Sequence, residues 1–219
     1  MLNYNLKFFG FLILVFLFIF IISCGEKQGE LEPDYIDGKP VFESGDIIGH
    51  YSNADFLGFF RNVAKSDFNH VGIIIVNDGI PMVFEATGGG VGFNSLDNFS
   101  ARGNGKYTVL RVKPENSEII SNVIEQALFY NGISYDNSFK FSDEKIYCSE
   151  LVYKAYQKGG NLKVGNIQQV KDVIGIQQYN PIFKGIAGNF VKDISMDQEV
   201  IMPDSIMKSV KFNIIHQSN

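Results

Sequence analysis

The clearest pattern of hydrophobic and polar positions in the chain is a pair of apolar runs separated by a turn signal. The first run, 70–76, is rich in β-branched residues, and the second, 82–86, has a similar apolar character. Asp78 and Gly79 lie between the two runs, and an Asp-Gly pair is typical of a two-residue hairpin turn. The pattern therefore predicts two antiparallel strands joined by a tight turn.

The period of the apolar positions predicts further strands and helices along the rest of the chain. They are strands at 45–48 and 107–112, helices at 54–64, 118–130 and 147–157, and a short terminal helix that Pro203 opens. Gly159 and Gly160 are expected to end the third helix, and the glycine-rich stretch 88–92 is expected to be a flexible loop. Because strands and helices mix without regular βαβ alternation, we expect an α+β fold with a central antiparallel sheet and packed helices.

The first residues of the chain have the composition of a secretory signal. Lys7 is the single charged side chain before an apolar run from 8 to 22, which is followed by Ser23 and Cys24. The Ile-Ile-Ser-Cys ending resembles a bacterial lipobox, in which the cysteine is diacylated and becomes the new N-terminus. We therefore predict a lipoprotein signal peptide at 1–23 and a lipid on Cys24.

The remainder of the chain divides into two parts. Residues 24–40 are polar and contain glycine and proline, which predicts a tether, and 41–219 has the length of one domain. The alternative to lipidation is an uncleaved membrane anchor helix, since the apolar run is nearly long enough to span a bilayer. Both interpretations place the domain in the bacterial cell envelope, outside the cytoplasm and close to a membrane.

Charge and composition exclude several classes of partner. The chain has 19 Lys and Arg against 24 Asp and Glu, a net charge of −5, and no basic cluster, so nucleic acid is not an expected partner. No cluster of Cys and His has the spacing of metal ligands, so neither a metal nor another cofactor is expected. The oligomeric state is left open.

Cys148 is the most informative residue for chemistry. The chain has two cysteines, and a lipidated Cys24 would leave Cys148 without a disulfide partner in an exported chain. Cys148 lies at the start of the predicted helix 147–157, where the helix dipole favours a thiolate and free N–H groups can stabilise an oxyanion. The alternative is that Cys148 is a small buried hydrophobe.

His70 and Glu85 are the candidate general base and the group that orients it. Of the three histidines, only His70 sits against a strongly apolar strand. With a two-residue turn at Asp78 and Gly79, Glu85 shares the face of His70 as its diagonal neighbour. A turn one residue longer would send Glu85 to the opposite face. A core histidine and a solvated glutamate remain the alternatives.

Five short segments in a fixed order carry a family resemblance. They read Gly-Asp-Ile-Ile at 45–48, Asn-His-Val-Gly-Ile at 69–73, Val-Phe-Glu-Ala at 83–86, Ser-Tyr-Asp at 134–136 and Tyr-Cys-Ser-Glu-Leu-Val at 147–152. Together they resemble the circularly permuted branch of the NlpC/p60 papain-like superfamily, in particular the YiiX-like proteins. The histidine before the cysteine marks that branch. The resemblance implies a papain-like α+β fold with Cys148 as nucleophile, His70 as base and Glu85 as third member.

The resemblance also implies a reaction class. It points to hydrolysis or acyl transfer at amide or ester bonds of cell-wall peptides or acyl-lipid-like substrates. Tyr147 would line the site, and we add Tyr135 as a second substrate-binding candidate. We therefore expect a lipid-anchored extracytoplasmic cysteine hydrolase. The alternatives are a non-catalytic lipid- or peptide-binding lipoprotein on the same fold, and a structural surface protein in which Cys148 is buried far from His70.

Overall fold

The computed structural model of the protein describes residues 35–36, 38–51, 66–175 and 194–218. These residues belong to one compact unit, Pro33–Asn219. The predicted signal peptide, Cys24 and most of the predicted tether lie outside the described residues, as does the predicted helix at 54–64. Within the described ranges, no helix combines the length and the apolar character that a transmembrane span requires.

The described part of the chain forms ten strands, five α-helices and one 3₁₀ helix. The strands are β1 (Tyr35–Ile36), β2 (Lys39–Pro40), β3 (Ile47–His50), β4 (His70–Asn77), β5 (Ile80–Thr87), β6 (Gly90–Ser95), β7 (Tyr107–Val112), β8 (Ile167–Gln169), β9 (Glu199–Ile201) and β10 (Phe212–Gln217). The helices are α1 (Leu96–Arg102), the 3₁₀ helix Pro114–Ile119, α2 (Ile120–Leu128), α3 (Cys148–Gly160), α4 (Val170–Ile174) and α5 (Pro203–Met207).

Six of the described strands form one sheet in the order β10-β7-β3-β4-β5-β6. Every neighbouring pair in this sheet is antiparallel. The strands β1 and β2 pair separately, and so do β8 and β9. The predicted α+β fold with a central antiparallel sheet is therefore confirmed.

The hairpin between β4 and β5 has the two-residue turn that the Asp-Gly pair predicts. The residues on either side of the turn pair with each other, and the pairing continues in step along both strands. Asp78 and Gly79 have positive φ angles of 49° and 77°, as the turn that matches the twist of a hairpin requires. This register places Glu85 on the same face of the sheet as His70.

Helices cover both faces of the sheet. On one face, Ile73 of β4 lies in the main core cluster with Leu151 and Val152 of α3. On the other face, Phe99 of α1 packs in a smaller cluster with Ile74 of β4. Residues that alternate along β4 therefore contact different helices, so this strand connects the two layers.

Helix α3 is longer than predicted, because its two glycines do not end it. Gly159 and Gly160 are the last two residues of the helix, and Asn161, which has a left-handed φ of 50°, is its C-cap. A Cβ at Gly159 would lie 2.6 Å from the backbone of Val123, and a Cβ at Gly160 would overlap Ile119. The glycines allow α3 to approach the neighbouring helical segment closely, and the prediction that they stop the helix is wrong.

The glycine-rich stretch after β5 is mostly regular structure. Gly88 and Gly89 form a tight turn, but Gly90, Val91 and Gly92 belong to β6, so the expectation of a loop over 88–92 is wrong. The pattern failed here because glycines hide the alternation of a strand. The strand β10 and the short helix α1 were not predicted either.

Candidate active site

Cys148 is the first residue of α3, and the start of that helix determines its surroundings. Tyr147 is the N-cap, and its backbone N–H donates to the carboxylate of Glu150 at 3.4 Å. Cys148 is 3% exposed, and the backbone N–H groups of Val71 and Ser149 donate hydrogen bonds to its sulfur. A cysteine at a helix start among N–H donors is stabilised as a thiolate.

His70 connects the sulfur to the carboxylate. It is the first residue of β4, its Nε2 hydrogen-bonds Oε2 of Glu85, and its side chain also hydrogen-bonds Cys148. Since an imidazole has two ring nitrogens, Nδ1 is the nitrogen that faces the sulfur. The structure therefore brings the predicted nucleophile, base and orienting group into one connected array, and a Cys148 far from His70 is ruled out.

The contact between His70 and Glu85 depends on a glycine in β4. Ile73 of β4 pairs with Phe84 of β5, and the next position of the same register places Gly72 opposite Glu85. A Cβ at Gly72 would lie 2.6 Å from Cγ1 of Val83 and 3.2 Å from Cβ of Glu85. Glu85 thus reaches diagonally toward His70 past a position that carries no side chain.

Opposite charges stabilise each other within this buried array. Burial by itself would lower the pKa of His70, but the adjacent Cys148, together with Glu85, raises it to about 9. Burial would raise the pKa of the Cys148 thiol, but His70 and the backbone donors hold it below its usual value. Both shifts favour the pair of thiolate and imidazolium, which is the activated form of a cysteine nucleophile.

Glu85 has two partners, and one of them was not predicted. Oε2 contacts His70, and Oε1 accepts a hydrogen bond from Nη2 of Arg102 in α1. Burial would raise the pKa of Glu85, but these two cations hold it below its usual value. No sequence signal points to Arg102, since it lies 17 positions from Glu85 in a short helix that the hydrophobic pattern does not predict.

His50 is a second buried histidine beside the array. It pairs with His70 across β3 and β4, and the two ring centroids lie 5.2 Å apart. Burial, with the positive charges of His70 and Arg102, lowers the pKa of His50 to about 3. A neutral His50 adds no like charge next to the imidazolium.

The two predicted substrate-binding tyrosines both lie next to the nucleophile. The Tyr135 side chain hydrogen-bonds Cys148, and burial, followed by the charge of Cys148, raises the pKa of Tyr135, so its hydroxyl stays protonated and donates to the sulfur. Tyr147 is 2% exposed, and its hydroxyl accepts a hydrogen bond from the backbone N–H of Ile201 at 3.0 Å. Both rings line a cavity beside Cys148. Their roles toward a substrate stay predictions.

Residues on both sides of the nucleophile hold Ile201 of β9. Tyr147 accepts from its N–H, and the Ser149 hydroxyl donates to its carbonyl oxygen at 2.7 Å. These hydrogen bonds are buried, so they give each polar group the partner that it loses when it is removed from water. They fix β9, and with it one wall of the cavity, against the start of α3.

A buried carboxylate holds the loop that forms another wall of the cavity. Asp136 accepts hydrogen bonds from the backbone N–H groups of Ser138 at 2.8 Å and Lys140 at 2.7 Å. Phe139, between them, has a left-handed φ of 52°, and its ring lies 5.4 Å from that of Tyr147. The loop therefore presents an aromatic side chain to the cavity.

The cavity beside Cys148 is apolar. The space between its walls is about 690 Å³ when the part that is open to solvent is counted. Much of its described wall comes from aliphatic side chains of α4 and β9, such as Val170, Ile174 and Val200. The described lining contains no charged side chain.

Known proteins share this fold and sequence. The model of a family described as "permuted papain-like amidase enzyme, YaeF/YiiX, C92 family" matches residues 41–216. The chain is 31% identical over 176 residues to the uncharacterized protein YiiX of Escherichia coli K12, which covers 79% of this chain and 85% of that protein. A crystal structure described as metalloprotein yiiX from Escherichia coli O157:H7 matches with a TM-score of 0.73 and 30% identity, over 81% of this chain and 98% of that chain.

The described residues do not fit the metal that the description of that crystal structure implies. No three of their His, Cys, Asp and Glu side chains cluster so as to hold a metal ion. Both ring nitrogens of His70 are engaged, by Glu85 and Cys148, and the second oxygen of Glu85 is engaged by Arg102.

The family assignment rests on agreement at three levels. The family model spans most of the chain, the solved relative shares the fold, and the order of His70 before Cys148 is the one expected of a permuted papain-like protein. The chain therefore belongs to the family of permuted papain-like amidases that includes YaeF and YiiX.

Proposed function

We propose that this protein is a cysteine hydrolase that cleaves amide or ester bonds through Cys148, His70 and Glu85. The observation that carries the proposal is the unbroken contact from the Cys148 sulfur through His70 to the Glu85 carboxylate. Membership in a family of papain-like amidases supports the same reaction class.

In the first half of the proposed reaction, the Cys148 thiolate attacks the carbonyl carbon of the substrate. A C–S bond forms, and the carbonyl oxygen takes the negative charge. The Tyr135 hydroxyl and the Ser149 N–H, which donate to the sulfur before the attack, are available to stabilise that oxygen. His70 then gives its Nδ1 proton to the leaving amine or alcohol as the C–N or C–O bond breaks.

In the second half, the acyl group leaves the enzyme. A water molecule gives a proton to His70 and attacks the thioester carbonyl, the C–S bond breaks, and the acid is released with the thiolate restored. Glu85 keeps His70 oriented throughout. An alcohol or amine in the place of water would give acyl transfer by the same steps.

The cavity favours an apolar acyl group as the part of the substrate next to the scissile carbonyl. A charged peptide would leave ionised groups without partners along the described lining, at a large desolvation cost. An aliphatic chain instead contributes about 0.8 kcal/mol for each methylene it buries. We therefore favour an acyl ester or amide over a cell-wall peptide.

Acylation of Cys148 tests the proposed chemistry. We would incubate the protein with p-nitrophenyl octanoate and measure its intact mass, with Cys148→Ser and His70→Ala beside wild type. We expect the octanoyl adduct on wild type alone. Equal labelling of wild type and His70→Ala would show that His70 does not activate the thiol. Tight lipid binding without turnover, retained in Cys148→Ser, would then favour the alternative of a binding protein.

Chain length tests the assignment of the cavity. Hydrolysis of p-nitrophenyl acetate, octanoate and dodecanoate is expected to show a kcat/KM that rises with chain length. Val200→Phe places a large ring in the cavity and is expected to abolish that rise while the acetate is still cleaved. Val210→Phe is the matched control, because Val210 is 77% exposed. No dependence on chain length in wild type would contradict an acyl substrate.

Anchoring of the domain in the cell envelope by a lipid on Cys24 is a separate proposal, which the sequence pattern supports. Mass spectrometry of the protein isolated from bacterial membranes is expected to find a diacylated Cys24 as the first residue. An intact segment 1–23 on the mature protein would instead favour the uncleaved anchor.

A further inference from the structure

Arg102 has no role in the reaction described above, although it contacts the catalytic array. It is the last residue of α1, and its side chain is 38% exposed. Its Nη2 donates to one oxygen of Glu85, whose other oxygen contacts His70. The Glu85 side chain is fully buried, so its ionised form depends on these partners.

The local structure of α1 explains how Arg102 reaches the carboxylate. The Ser95 hydroxyl caps the helix by accepting a backbone N–H of the first turn at 3.1 Å. Phe99, three residues before Arg102 and so on the same side of the helix, packs its ring 4.5 Å from that of His50. A Cβ at the following Gly103 would lie 2.8 Å from Cβ of His50, so the end of the helix lies close over the sheet.

We propose that Arg102 is a positioning residue, which keeps Glu85 ionised and directed at His70 and through His70 supports the Cys148 thiolate. The inference rests on the proposed function, because it assigns Arg102 to the same reaction. It makes the supporting array one residue longer than a triad.

The physical reason is the cost of burying a carboxylate. Burial raises the pKa of Glu85, and His70 and Arg102 together oppose it. Without Arg102, His70 is the remaining cation, so the pKa of Glu85 rises. A protonated Glu85 no longer favours the imidazolium, so the pKa of His70 falls and the pKa of Cys148 rises.

Few titratable groups of the described residues face this array. Glu85 is faced by His70 from β4, by Arg102 from α1 and by His50 from β3. Cys148 is faced by His70 and by the hydroxyls of Tyr135 and Tyr147, and burial raises the pKa of both tyrosines, so they stay protonated where Cys148 titrates. The pKa of His50 is lowered to about 3, so His50 does not titrate where Cys148 does. A change in the titration of Cys148 after substitution of Arg102 is therefore carried by His70 and Glu85, or by Arg102 itself.

Iodoacetamide reports on this titration without a substrate. The rate of alkylation of Cys148, followed by intact mass from pH 4 to pH 10, gives the pH at which the thiolate forms. Arg102→Met is expected to move this midpoint upward by about one unit, within the range known for loss of an opposite charge. Alkylation at a pH below both midpoints then slows about tenfold. Arg102→Gln, which keeps a polar side chain without the charge, is expected to give the same shift should Arg102→Met fail to fold.

Repeating Arg102→Met in a protein that already carries Glu85→Gln separates an effect of Arg102 through Glu85 from a direct effect of Arg102 on Cys148. In Glu85→Gln, the midpoint is already raised, and adding Arg102→Met is expected to move it no further. A shift of the same size in both backgrounds would show that Arg102 acts directly on Cys148 and would overturn the proposal. No shift from Arg102→Met or Arg102→Gln in the wild-type background would overturn it as well.

Arg111→Met is the matched control. Arg111 pairs with the buried carboxylate of Asp46 at 2.8 Å, so its loss also breaks a buried ion pair. Its hydrogen bonds to Glu43, Asp46 and Val41 all lie outside the array. In Arg111→Met, the alkylation midpoint of Cys148 is expected to match that of wild type. A shift as large as that of Arg102→Met would mean that both substitutions act through a general loss of stability. If wild-type Cys148 itself shows no lowered midpoint, the proposed function fails rather than the role of Arg102.

Discussion

Replacing Gly72 with alanine tests whether the close approach of β4 and β5 holds the candidate site together. The added Cβ would lie 2.6 Å from Cγ1 of Val83 and 3.2 Å from Cβ of Glu85. Non-bonded carbon atoms prefer separations of about 3.5–4.0 Å, so the first contact is too short by about 1 Å. Val83 is fully buried and has no space to retreat, so β5 must shift and carry Glu85 away from His70.

The size of the effect follows from two opposing contributions. Overpacking of a buried site costs about 1–3 kcal/mol. Alanine loses less backbone entropy than glycine when a strand folds, which offsets about 0.5–1 kcal/mol of this cost. The middle values of these ranges leave a net loss of about 1 kcal/mol in the free energy of unfolding, which lowers Tm by about 2–4 °C for a domain of this size. The alkylation midpoint of Cys148 should move to higher pH because His70 loses part of its contact with Glu85.

Urea unfolding and iodoacetamide titration of Gly72→Ala measure both effects. Gly88→Ala is the control, since a Cβ at Gly88 would have no neighbour within 4 Å and its φ is not in the left-handed region. We expect the control to stay within about 0.5 kcal/mol of wild type. If Gly72→Ala is as stable as wild type and its alkylation midpoint is unchanged, the site does not depend on this approach and the reasoning is refuted.

Three further predictions concern the groups around the nucleophile. Cys148→Ala removes the group that raises the pKa of His70 most strongly. An NMR titration should therefore give a His70 pKa below about 9, and an unchanged pKa would contradict the ion pair. Tyr147→Phe leaves the Ile201 N–H without its buried acceptor and should lower the free energy of unfolding by about 1–3 kcal/mol in urea, whereas no loss would contradict the bond. Burial raises the pKa of Glu150 from 4.5 to about 7. The stability that this shift contributes is therefore fully present below about pH 4.5 and is lost as the pH rises through about 7. Glu150→Gln should therefore gain stability relative to wild type over that window, and a difference that does not vary with pH would contradict the shift.

The sequence predicted the site best where short-range patterns control the geometry. The Asp-Gly turn sets the register of β4 and β5, and that register places Glu85 beside His70. The same local reasoning placed Cys148 at the start of a helix, where the structure has it. Turns and helix starts involve neighbouring residues, so their patterns are visible along the chain.

The sequence predicted less well where a residue serves a distant neighbour. Gly159 and Gly160 have the pattern of a helix stop, but they lie inside α3 because a neighbouring segment packs against them. The glycines of β6 suggested a loop, although pairing with β5 makes them a strand. Local propensity is a weak preference that tertiary contacts override.

By itself, the sequence indicated the class of fold, the hairpin with its two-residue turn as the favoured register, and the identity of a cysteine, a histidine and a carboxylate that can work together. Only the tertiary structure decided that Arg102 of α1 supports Glu85, that Ile201 is held by the residues flanking Cys148, and that an apolar cavity lies beside the sulfur. The physical reason is range: backbone preferences act over a few residues. Charge pairs and cavity walls join segments that are far apart in the chain, such as Arg111 and Asp46, which are 65 positions apart, and packing alone brings these segments together.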